Sequence, residues 1–200
     1  MKAASALVPC LTLVLLPLAL SAQAPKPIIE NDRVIVWDVK AGEAVPDSVA
    51  RQYDCVRVTY SHNAGTAVFE PKSGSHAGKA TGDQRTLLIG LKDHPVAALP
   101  NNTKYPNAFP RPHVKKLIEN DRVITWEYSW TPNEPTPMHF HDKDVVVLYL
   151  DDGSLKSTTP DGKSVINDYT YGLAKFNPRE RTHTELLVKG QQHAIMTELK

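Results

Sequence analysis

Cysteine is nearly absent. Two occur in 200 residues, Cys10 and Cys55, and Cys10 lies in an N-terminal run that reads as removable. One remaining thiol excludes an intramolecular disulfide, so stability must come from an apolar core, with or without a metal or an oligomeric partner. An excess of charge of either sign is also missing. Lysine and arginine total 23 against 22 aspartates and glutamates, and residues 1–24 hold one of those bases and none of the acids. That balance gives no reason to expect a nucleic-acid partner or a polybasic membrane surface. No window carries the period of a useful amphipathic helix. A phosphate-binding glycine loop, a G-x-S-x-G elbow and a C-x-x-C pair are all lacking. Nucleotide, serine-hydrolase and dithiol chemistry therefore have no sequence support.

What is present starts with MKAASALVPCLTLVLLPLALSAQA. A short positive start, an apolar run from Leu7 to Leu20 and a small-residue end have the layout of a secretory signal peptide over residues 1–24. The run is short for a membrane span and is interrupted by Pro9 and Pro17. The expectation is a secreted or periplasmic protein with no membrane attachment after cleavage. Cleavage after Ala24 would leave Pro25 first, so a cut near Ser21 or Ala22 is the alternative. The remaining ~176 residues suit one domain or two small fused ones.

The chain then repeats itself. Residues 28–39, IIENDRVIVWDV, match residues 117–128, LIENDRVITWEY, at eight of twelve positions. The correspondence continues through Val56 over Val145, Val58 over Val147 and Tyr60 over Tyr149. It resumes with GDQRTLLIGLK (82–92) over GQQHAIMTELK (190–200), the first copy lacking about 19 residues between. An internal duplication dictates the architecture. Each copy reads as short strands rich in Val, Ile, Thr and aromatics, separated by Asn, Asp, Gly and Pro. The fold class expected is all-β, a sandwich or barrel. Residues 25–93 form the first copy and 116–200 the second. Between them, residues 94–115 carry five prolines and read as an irregular strap lying on the surface.

One stretch of the second copy bears chemistry. In PTPMHFHDKD, His139 and His141 are two apart, so on a strand they project from one face. A third histidine, His183, follows in GLAKFNPRERTH. H-x-H followed by Gly153, then Gly172, Pro178 and His183, resembles the two motifs of the cupin superfamily. Two copies in one chain resemble a bicupin: two fused β-barrels of the double-stranded β-helix type, here with a truncated N-terminal copy and motifs only in the C-terminal one.

The resemblance implies that His139, His141 and His183 converge on one divalent metal ion. Two positions depart from the pattern. The glutamate ligand that usually follows H-x-H falls on Val146, or on Val145, and neither binds metal; Asp144 sits beside them in the expected turn. A glycine of the second motif is replaced by Glu180. Three imidazoles suit Zn, Mn, Fe, Cu or Ni and leave coordination positions free. Glu185, two residues beyond His183, shares its face and is the candidate fourth ligand or general base, against the alternative of an exposed strand carboxylate. Tyr149 and Lys175 are candidate cavity residues, and Trp126, Tyr128 and Trp130 read as core or inter-copy packing. In the first copy the three histidine positions hold Ala50, Gln52 and Ser75, with His76 one place off, so that copy reads as structural.

The function expected is an exported bicupin that binds one metal and acts on or binds a small organic ligand, dioxygenation of a small acid or thiol being one candidate activity. The rival readings are a non-catalytic cupin that binds a small molecule or sugar, and an interaction barrel that forms a homodimer through exposed sheet edges.

Overall fold

The computed structural model describes residues 26–40, 43, 45, 51–74 and 84–200. The expected signal peptide, Ala50, Ser75 and His76 lie outside the described residues. The described residues form fourteen strands, and among them no helix is long and apolar enough to cross a membrane. The all-β expectation holds.

In the first half, β1 (Ile29–Glu30), β2 (Val34–Val39), β3 (Asp54–Ser61), β4 (Ala64–Glu70) and β5 (Arg85–Leu91) form one antiparallel sheet in the order β1-β2-β5-β3-β4. In the second half, β6 (Lys115–Glu119), β7 (Val123–Ser129), β9 (Val145–Tyr149), β12 (Ala174–Asn177) and β14 (His193–Leu199) form a sheet in the order β6-β7-β14-β9-β12. Strands β8 (His139–His141), β10 (Gly153–Thr158), β11 (Ser164–Tyr169) and β13 (Arg181–Gly190) make a four-stranded sheet in the order β8-β13-β10-β11. The described part of the first half is one sheet rather than a closed barrel. The residues missing from its middle fall within the stretch, 150–189, that runs through β10, β11 and β13 in the second half.

The second half's five-stranded sheet is covered on both faces. Along β9, Val145, Val147 and Tyr149 point into a cluster shared with Leu155 and Leu187 of the four-stranded sheet. Val146 and Leu148 point the other way, into a cluster with Val34, Val36, Val56, Val58, Leu87 and Ile89 of the first half. That explains why VVVLYL is an unbroken apolar run: with both faces dry, alternation has no polar side to show. Each such buried aliphatic side chain contributes about 1.5–3 kcal/mol of burial free energy. Trp126, Tyr128 and Trp130 share the inner face, so they pack inside the second half and not between the halves.

The two ENDR segments tie the halves together reciprocally. The Asn31 side-chain oxygen accepts from the backbone N–H of Arg33 (2.8 Å) and Val34 (2.9 Å). Asn120 does the same for Arg122 (2.8 Å) and Val123 (3.0 Å). These turns aim the arginines outward in opposite directions. Arg33 donates to Asp144 at 2.6 Å and to the Lys200 carbonyl at 3.3 Å. Arg122 donates to Asp54 at 2.8 Å and to the Lys92 carbonyl at 3.0 Å. Asp144 is thereby committed to the junction of the halves.

The proline-rich strap is ordered along the free edge of β8. Ala108 N–H donates to the Phe140 carbonyl and Phe140 N–H to the Pro106 carbonyl, both at 2.8 Å. This covers an edge that would otherwise leave unpaired backbone groups. Buried Phe109 stacks on Trp126, ring centres 5.4 Å apart, and carries the chain inward to Arg111.

The side chains of Arg33 and Asp144 are each only 10 % exposed, so their contact should carry real coupling. In urea unfolding, Arg33→Ala should cost about 2 kcal/mol, and a double-mutant cycle with Asp144→Ala should return a coupling of about 1 kcal/mol or more. Purely additive costs would show that the ion pair does not hold the halves together.

Candidate metal centre

Strand β8 has only three residues, and its ends are both histidine. It pairs antiparallel with β13 so that His183 lies opposite His139 and Arg181 lies opposite His141. Alternation on both strands places His139, His141, Arg181, His183 and Glu185 on one face. The three imidazoles form a near-equilateral triangle, with ring centres 4.9–5.0 Å apart. Exposures of 2 % (His139), 7 % (His141) and 7 % (His183) put all three rings away from bulk water.

The donor atoms converge. One nitrogen from each ring lies within 4.8 Å of the others. The two Nε2 atoms of His139 and His141 are 3.2 Å apart. Two ligands bound at the usual 2.0–2.1 Å to a tetrahedral or octahedral ion would sit about 3.0–3.4 Å apart, so this spacing fits a shared ion. The tautomer fits too. His139 Nδ1 lies 2.8 Å from the Pro137 carbonyl, an acceptor only, so Nδ1 carries the proton and Nε2 offers its lone pair. Burial pushes the pKa of His139 down to about 4. His141 and His183 are lowered as well, by burial first and then by nearby cations. Neutral imidazole is the form that binds metal. The residues present fit a divalent ion held by three histidines.

Glu185 completes the inner face. Its Oε1 lies 3.8 Å from His183 Nε2. Its Oε2 accepts from the Trp130 indole at 3.2 Å and lies 3.6 Å from Arg111 Nη1. Burial alone would raise its pKa, but any positive charge on His183, the Arg111 guanidinium and any charge on His139 outweigh that and hold the carboxyl below its usual range. It is a half-buried carboxylate aimed at the histidines, not a surface group. Val145 faces the same interior and Val146 the opposite side, so the inward slot of the missing glutamate is Val145. Glu180 adopts a left-handed backbone (φ 70°) while its N–H donates to the His141 carbonyl at 2.8 Å. A glycine is the unstrained choice for that turn.

These side chains open into a cavity of about 150 Å³ between the two sheets of the second half. His141, His183, Glu185, Tyr149 and Lys175 line it, with Arg111, Trp130 and Arg181. Tyr149 and Lys175 thus stand where the sequence suggested. Arg111 and Arg181 were missed. Arg181 was findable, because it is two residues before His183 on the same strand face. Arg111 comes from the irregular strap, where no periodicity marks orientation. A larger hollow of about 540 Å³, lined by His113, Glu127, Gln192 and His193 among others, contains none of the three histidines.

No family model and no curated protein matches the chain. Solved structures do. A cupin 2 conserved barrel domain protein from Leptotrichia buccalis is 16 % identical at a TM-score of 0.50, covering 90 % of this chain and 92 % of that one. A cupin domain from Bordetella pertussis is 28 % identical at a TM-score of 0.41, covering 49 % of this chain and 98 % of its own. The polyketide cyclase RemF from Streptomyces resistomycificus is 27 % identical at a TM-score of 0.37, covering 52 % and 73 %. The Leptotrichia likeness extends over nearly all of both chains and shows a cupin fold.

The lowered histidine pKa values fix a sign for stability against pH. An unfolded histidine takes its proton near pH 6.5, whereas folded His139 resists protonation down to about pH 4. Between those values the unfolded chain binds more protons, so metal-free protein should lose stability as pH falls from 6.5 toward 4. The loss should approach about 1.4 kcal/mol per pH unit for each such histidine. Urea titrations at pH 7.5 and 5.5 measure it. His139→Gln should flatten the dependence, and an unchanged slope would place the titration elsewhere.

Proposed function

We propose that this chain is an exported, duplicated cupin that holds one divalent metal ion through His139, His141 and His183 and acts on a small organic ligand in the adjoining cavity. The observation that carries the reading is the convergence of three buried imidazoles inside a cupin fold. The duplicated sequence and the matching strand order of the two five-stranded sheets support a bicupin whose first copy serves as a structural sheet. Export rests on the first 24 residues alone.

An ion in this site would supply a Lewis acid beside a ligand oxygen. The chain supplies the rest. His139 is oriented by its bond to Pro137. Val145, Val147 and Met196 make a dry wall that limits the ligand's size and keeps water out. Glu185, kept ionised by its neighbours, is the group able to take a proton from a ligand carbon or hydroxyl, with Trp130 and Arg111 fixing its second oxygen. Dioxygenation, isomerisation and hydrolysis all use this set of parts. A carboxylate poised against the histidines favours catalysis over a purely binding role.

Protein purified without chelator should contain close to one equivalent of metal by elemental analysis. His139→Ala and His183→Ala should abolish it, while His193→Ala, whose ring pairs with Glu127 at 3.1 Å, should retain it. Restoring metal at a hundred times its dissociation constant should stabilise the fold by about 2.7 kcal/mol. Sub-stoichiometric metal that is indifferent to all three substitutions would sink the reading.

A further inference from the structure

The charges lining the cavity do not cancel. Arg111, Lys175 and Arg181 face one carboxylate, Glu185, and a bound divalent ion would add to the imbalance. Arg111 is the extreme case. Its side chain is 5 % exposed, and its Nε and Nη1 are buried with no hydrogen-bond partner. The Nη2 group reaches only the Met196 sulfur, at 3.7 Å. Three aromatic faces surround the guanidinium, with ring centres 4.1 Å (Tyr128), 4.8 Å (Phe109) and 5.8 Å (Trp130) away. Arg181 donates its Nε to the Pro178 carbonyl at 2.8 Å, and its two terminal nitrogens have no acceptor among the described residues. Lys175 Nζ sits 5.4 Å from the Tyr169 ring centre and has no carboxylate partner among the described residues. Glu185 approaches Arg111 Nη1 only at 3.6 Å, and a buried cationic donor without a hydrogen-bond acceptor is costly unless something else meets it.

We infer that the cavity is built for a small organic carboxylate. The anion would sit between Arg181 and Lys175, with Arg111 reinforcing the field from beneath. A guanidinium fork matches the two oxygens of a carboxylate, and a cleft lined by one sign concentrates the opposite ion. The volume of about 150 Å³ equals about five waters, which restricts the ligand to a few carbons. The inference deepens the metal-centre reading, since the anion would lie beside the histidines, but the arginines and lysine make it independent of whether metal is bound.

The test is calorimetric titration of the full chain, dialysed against chelator, with malonate, its neutral isostere malonamide and inorganic phosphate. Malonate should bind at least tenfold more tightly than malonamide, and R181Q and K175Q should each weaken it by tenfold or more. Thermal melts of both variants confirm that they fold; R111Q is left aside because its aromatic cage depends on the guanidinium. Equal binding of malonate and malonamide, or malonate affinity untouched in R181Q and K175Q, overturns the inference. Phosphate binding as tightly as malonate overturns the carboxylate assignment. Zinc binding measured in parallel separates the two ideas. Malonate binding without zinc binding sinks the metal reading alone, and zinc binding without a preference for malonate sinks this one alone.

Discussion

The described structure is organised around the central strands of one sheet, which are buried on both faces. Strands β9, β14 and β7 present alternate residues to two different clusters, one inside the second half and one against the first half. A register slip of one residue would exchange the two sets, sending Val147 and Tyr149 toward the first half and Val146 and Leu148 into the cavity. Both clusters would be mispacked at once, so register is specified twice over. That rigidity is what a site built from distant residues requires. The β13 strand faces this sheet across the cavity, and its alternation alone delivers Arg181, His183 and Glu185 side by side.

The cavity itself opposes stability. It is lined by two of the three imidazoles, His141 and His183, and by more cationic than anionic groups. The structure offsets this in part. Aromatic faces take the place of water around Arg111, a form of compensation that is stronger when the cation is desolvated. Glu185 shares its single charge among Arg111, His183 and the Trp130 indole. What is left over, the Arg111 nitrogens that Glu185 approaches only at 3.6 Å without a hydrogen bond and the free end of Arg181, marks where protein atoms stop meeting demand. Unpaired polarity of this kind concentrates at sites that wait for another molecule.

Much of this was legible in the sequence, for reasons that can be located. The repeat of ENDRV and the alternating aromatics gave an all-β duplicated chain because strand period and turn residues are local signals. Val145–Tyr149, Arg85–Leu91 and His193–Leu199 are strands that fall in the apolar parts of the repeated segments. The edge strand β11, SVINDY, was not seen: its Val165 and Ile166 are 55 % and 60 % exposed, so burial never imposed a pattern on it. His139, His141 and His183 were found through motif spacing, and Glu185 through period two. Arg111 was invisible because its position depends on how a proline-rich strap lies along β8, which is a long-range fact.

The described parts of the two halves fill the equivalent sheet face differently. Ile35, Trp37 and Leu88 of the first half correspond in sequence to Ile124, Trp126 and Met196 of the second. In the second half that face looks across the cavity at polar strands. In the first half Ile35, Trp37, Val39, Cys55 and Leu88 are packed together, with Val45 and Tyr53 laid over them. Burial there pushes the Cys55 thiol up to about 12, so it stays protonated and inert. The same strand positions thus serve opposite ends. Filled with apolar side chains, they give a dry platform that contributes stability. Left facing His141, His183 and Glu185, they enclose a polar hollow that costs stability. Joining the two through the reciprocal arginines lets the filled half support the open one.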